Sequence, residues 1–117
     1  MESFFKSFVY AWNGIKAAIG AQRNLKVQSG IALIVVCAGF YFNIRALEWC
    51  LILLSISLVI GLEMMNSAIE NLVDLVTLER KPLAGKIKDV AAGAVLFASV
   101  MAVIIGVLIF RKYLMIL

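Results

Sequence analysis

Apolar residues recur along this chain with two different spacings. From Glu2 to about Gln22 they come at intervals of three and four. At about 100° per residue, Phe4, Phe8, Trp12, Ile15 and Ile19 share one helical arc, while Ser7, Asn13 and Ala17 lie elsewhere. Lys6 sits off that arc, and Lys16 at its edge can snorkel. The pattern predicts an amphipathic helix lying in a membrane interface. Beyond Lys26 the residues become apolar on every side. Eighteen uncharged residues separate Lys26 from Arg45, and a short turn over Asn43 to Leu47 leads into a second run. That run begins near Glu48 and Trp49 and continues to about Val76. The segment TLERKPLAGKI reads as a loop with Pro82 and Gly85 as breakers. A third run follows, uncharged from Val90 to Phe110 and closed by Arg111 and Lys112. The expected elements are a surface helix over about 2–22 and spans over about 27–44, 48–76 and 87–110.

Composition points the same way. The chain has 117 residues, 64% of them hydrophobic, and one soluble domain of that length cannot hide so much apolar surface. The fold class expected is an all-α membrane protein: one domain over 1–117, with no repeat, linker or low-complexity segment. Residues 1 to 26 lack the continuous apolar core of a cleavable signal, so insertion is expected to use the spans themselves. Cys37 and Cys50 fall in or beside apolar runs and read as small hydrophobes. With no histidine and no CxxC, a Cys/His zinc site has no support. The net charge of +4 calls for no nucleic acid, because the basic residues flank spans. Eight of them, Lys6, Lys16, Arg23, Lys26, Arg80, Lys81, Lys86 and Lys88, would share one side, against Arg45, Arg111 and Lys112 on the other. The excess predicts a cytoplasmic amino terminus.

One stretch breaks the apolar rule. GLEMMNSAIENLVD, residues 61–74, continues the second run yet carries Glu63, Asn66, Glu70 and Asp74. Taking Glu63 as zero, the other three fall at about 300°, 340° and 20° around a helix, with Ser67 beside them. A mid-membrane charge costs at least ~2.5 kcal/mol on the mildest scale, so this stripe must face other helices or a watery cleft. With Trp49 at the outer interface, Glu63 lies about 21 Å further in and Glu70 about 32 Å. Against a hydrocarbon core of roughly 30 Å, the stripe opens to the cytoplasm. Lys88 and Asp89 begin the third span at the same depth. Carboxylates beside lysines make a seat for magnesium and phosphates. Asp74, Glu79, Arg80 and Lys81 read equally well as ordinary interfacial groups, and Asn66 as a helix-packing hydrogen bonder. Neither GxxxxGK[ST] nor GxSxG occurs, and a Ser-His-Asp triad is impossible without histidine.

GLEMMNSAIENLVD and KDVAAGAVL at 88–96 resemble the bacterial diacylglycerol kinase and undecaprenol kinase family. The resemblance extends back to YAWNGIKAA at 10–18 and QRNLK at 22–26. It implies three transmembrane helices and a surface helix per subunit, a homotrimer, and the inner membrane of a bacterium. It also implies magnesium-dependent transfer of the ATP γ-phosphate to a lipid alcohol, with undecaprenol favoured over diacylglycerol. By that resemblance Glu63 is the base, Glu70 a metal ligand, and Tyr10, Asn66, Glu70, Lys88 and Asp89 surround the nucleotide. Gln22 stands where the family has a metal-binding glutamate; its amide oxygen can still coordinate, without charge. Gln28 replaces a histidine or acid, and Ala92 stands where some diacylglycerol kinases carry serine. Two alternatives stay open. A small ion- or proton-coupled transporter would use Glu63 and Glu70 as relay groups, but the uncharged run over 90–110 argues against it. A catalytically idle relative of the kinases would draw its support from Gln22 and Gln28.

Overall fold

The computed structural model describes residues 1–116; Leu117, the last residue of the expected domain, lies outside them. Among the described residues the regular structure is wholly helical: α1 (Glu2–Ala21), α2 (Arg23–Phe42), α3 (Ala46–Val76) and α4 (Pro82–Leu114). The last three are long and apolar enough to cross a membrane. Helices α3 and α4, at 31 and 33 residues, would be about 46 and 50 Å long. Both exceed a hydrocarbon core of roughly 30 Å, so they carry polar residues beyond it.

Each junction has a local cause. Gln22, extended at φ −107° and ψ 117°, separates α1 from α2. Helix α1 buries no residue, and the molecule measures 54 × 42 × 21 Å. A bundle of helices packed 8–10 Å apart does not reach 42 Å across, so α1 extends sideways from it. Its aromatic arc stays open, with Phe4, Phe8 and Trp12 all about 60% exposed. Between α2 and α3, Asn43 adopts the left-handed conformation at φ 51°. Its N–H donates to the Phe40 carbonyl, and that of Ile44 to Gly39, both at 3.2 Å. This pair of bonds closes a Schellman cap, a position where asparagine substitutes for glycine.

The loop expected to reach Ile87 is shorter than the sequence indicates. Helix α4 begins at Pro82, and the Gly85 N–H already bonds to the Lys81 carbonyl at 3.1 Å. Proline at the first helical position loses no hydrogen bond, because that N–H would be unpaired anyway, so Pro82 starts this helix instead of breaking the chain. Helix α2 likewise begins before its apolar run, at Arg23, and α4 outlasts its own, ending at Leu114.

Helices α3 and α4 form the main pair. Ile44, Ile52 and Ile109 make the buried cluster, with Val35, Phe42, Trp49, Phe110 and Tyr113 packed on it. Large apolar side chains such as Ile34, Leu54 and Phe97 point outward, as lipid contact requires. Cys37 and Cys50 are free and lie on that outer surface.

Candidate functional site

The stripe on α3 is turned inward at its deep end and opens at its tip. Glu63 is 4% exposed, Asn66 8% and Ser67 6%. Glu70 is half-buried and Asp74 exposed. Burial of three polar side chains on one arc meets the constraint that lipid imposes. The Asn66 amide Nδ2 donates to Glu70 Oε1 at 3.3 Å, one helical turn away. That bond leaves Asn66 Oδ1 buried without a partner, and the Ser67 hydroxyl is in the same state. An orphaned buried polar atom is costly, so two on one stripe mark a place where a polar ligand fits. Across the α3–α4 turn, Lys88 Nζ donates to Asp74 Oδ1 at 2.6 Å.

The other expected site residues are less tightly gathered. Tyr10 is 70% exposed on α1, and Asp89 is exposed on α4. Gln22 is half-buried at the α1–α2 junction. No side-chain hydrogen bond joins these three to the stripe among the described residues. Nor do three acidic, cysteine or histidine side chains converge there as a ready metal cage. The donor chemistry still fits magnesium. Glu70 and the orphaned Asn66 Oδ1 offer hard oxygens, and magnesium keeps waters and shares its remaining positions with phosphate.

Two features escaped the sequence reading. At the opposite end of the bundle, Glu48 is buried and fully engaged. Its Oε1 accepts from the Arg45 backbone N–H at 3.0 Å and the Tyr113 hydroxyl at 2.6 Å, and its Oε2 meets Lys112 Nζ at 2.6 Å. The Arg45 bond is local and legible, since a glutamate at the third helical position reaches back to the N-cap. The bonds from α4, Tyr113 at 65 residues and Lys112 at 64, are not. The second feature is a groove of about 390 Å³ between α2, α3 and α4. Its walls are Ile31, Val35, Ile56, Val103 and similar residues, with Gln28 at its polar edge. The Gln28 Oε1 is buried and unpaired.

Fold and site together define a small helical membrane protein whose polar stripe sits at one end of an apolar bundle, beside an apolar groove. Residues 9–110 match the family described as prokaryotic diacylglycerol kinase. The undecaprenol kinase of Bacillus subtilis (strain 168) is 43% identical over 110 residues, 94% of this chain and 89% of that protein. The diacylglycerol kinase of Synechocystis sp. is 39% identical over 86% of this chain and 58% of its own length. That of Escherichia coli (strain K12) is 33% identical over 85% and 81%. The chain belongs to the prokaryotic diacylglycerol kinase family, and so to the lipid kinases. The transporter alternative falls with that assignment. Along α3, residues 49–62, between Glu48 and Glu63, carry no charge that could extend a relay.

Proposed function

We propose that this lipid kinase transfers the γ-phosphate of ATP to the hydroxyl of undecaprenol, with magnesium, at the cytoplasmic face of a bacterial inner membrane. The observation that carries the reading is the stripe itself: a buried carboxylate, Glu63, followed by unpaired oxygens and then by Glu70, at the end of an otherwise apolar bundle. Phosphoryl transfer needs alignment and charge neutralisation more than covalent chemistry, and these residue types supply both. Glu63 accepts the proton of the lipid hydroxyl as its oxygen bonds to the γ-phosphorus and the bond to ADP breaks. Glu70, assisted by the Gln22 amide oxygen and Asn66 Oδ1, would hold magnesium. When bound, that ion would neutralise phosphate charge. Lys88 supplies a fixed positive charge toward the phosphates, with Asp89 and Tyr10 bordering the nucleotide.

The preference for undecaprenol rests on the higher identity to the Bacillus subtilis enzyme than to the Escherichia coli one, and on Ala92. The groove beside Gln28 suits an apolar chain. A homotrimer is what the family resemblance implies; Ala91, Ala92, Gly93 and Ala94 are small enough to permit close helix contact. The excess of Lys and Arg beside α1 and the α3–α4 turn supports an amino terminus in the cytoplasm.

Transfer from labelled ATP in mixed micelles, offering undecaprenol and diacylglycerol separately, tests the reading. Phosphorylation of undecaprenol, abolished by Glu70→Ala, is expected. Preference for diacylglycerol would overturn the substrate assignment. Absence of transfer to either lipid, from folded protein that binds ATP, would establish the idle relative.

A further inference from the structure

We propose that Asp74 is a positioning residue for the nucleotide phosphates: it holds the Lys88 ammonium over the open end of the polar stripe. The proposal rests on the lipid-kinase reading above. Lys88 and Asp74 are 14 residues apart and meet at 2.6 Å, across the turn that joins α3 to α4. Asp74 lies one helical turn beyond Glu70 and about 40° around the axis. The contact therefore seats the ammonium on the stripe, roughly 6 Å along α3 from the level of Glu70.

The chemistry of lysine makes such an anchor useful. An ammonium is a point charge on a flexible four-carbon stem, and ordering that stem at the moment of binding weakens the capture of phosphate. Three N–H donors are available. Asp74 occupies one and leaves the others free for phosphate oxygens. Both side chains are partly open, at 38% for Lys88 and 48% for Asp74, so an incoming anion can reach the ammonium without breaking the pair. That same openness makes the pair a poor source of stability, since exposed ion pairs contribute little. Other basic groups nearby lack such a hold. Lys81 meets Glu79 only at 4.0 Å, with both side chains more than half exposed.

The experiment is steady-state kinetics of the full-length protein in mixed micelles, varying ATP and lipid separately. Asp74→Asn is expected to raise the KM for ATP roughly fivefold, the ceiling for an exposed pair. The lipid KM and the thermal midpoint stay unchanged, and Asp74→Glu restores most of the loss. Adding Asp74→Asn to Lys88→Met has no further effect, because the two act as one unit. An unchanged ATP KM in Asp74→Asn, with a raised one in Lys88→Met, would overturn the positioning role and leave the phosphate role of Lys88 standing. A harmless Lys88→Met would overturn both. A lowered ATP KM in Asp74→Asn would show that the pair blocks the site. A fall in thermal midpoint that Asp74→Glu does not relieve would show a structural contact instead.

Discussion

Replacing Gly39 by alanine tests whether the α2–α3 contact is as tight as the geometry states. Gly39 is buried one turn before the Schellman cap, facing the first turn of α3. A Cβ there would lie 2.7 and 2.9 Å from the Trp49 ring carbons Cη2 and Cζ2, and 3.2 Å from Ile44 Cδ1. The ring has little room to yield, because Phe40 packs on it at 4.8 Å between centroids and Ile44 is itself buried. Two effects oppose each other. Alanine gains up to ~1 kcal/mol in helix propensity over glycine. Overpacking a fitted contact costs about 1–3 kcal/mol. The clash should win, for a net loss of up to about 2 kcal/mol. Unfolding in mixed micelles, titrating a denaturing detergent against a mild one, measures it. Gly30→Ala, where nothing lies within 4 Å of the added carbon, should be neutral or stabilising. In a Trp49→Leu background, Gly39→Ala should lose its penalty, which isolates the ring as its cause. Equal stability of Gly39→Ala and the parent protein would refute the reasoning, and with it the claim that this contact fixes α2 against α3.

Three further outcomes follow from the site and the far end of the bundle. Glu63→Gln keeps the shape and removes the proposed base; kcat should fall by about 10²- to 10⁴-fold with an unchanged thermal midpoint, read by phosphoryl transfer and by melting in micelles. If Gln22 joins Glu70 in holding magnesium, as proposed, Gln22→Glu adds a charged ligand, and the magnesium concentration giving half-maximal rate should drop. Glu48→Gln should lower the thermal midpoint and leave the ATP KM unchanged, because Glu48 ties α3 to Lys112 and Tyr113 well away from the stripe. A shifted ATP KM in that variant would show the two ends to be coupled.

The sequence by itself determined the parts governed by local rules. Apolar runs of membrane length gave three spans, and the three-and-four spacing from Phe4 to Ile19 gave the surface helix. The stripe from Glu63 to Asp74 was legible because helical periodicity places those residues on one face and lipid forbids that face from pointing outward. The motif resemblance supplied the family. Boundaries were less legible: Pro82 can either end a loop or begin a helix, and only the chain that follows decides.

Tertiary structure alone decided which partner each polar group takes. Asp74 could have remained a solvated interfacial acid, yet it holds Lys88 across the turn. Glu48 looked like an ordinary acid at the start of a span, yet it binds two residues of α4 that follow it by more than sixty positions. Asn66 turned its amide toward Glu70 and left its own oxygen buried without a partner. The physical reason is that periodicity fixes the direction of a side chain around its own helix. What stands opposite depends on how two helices are set against each other, and that follows from contacts such as Gly39 with Trp49, which no spacing records.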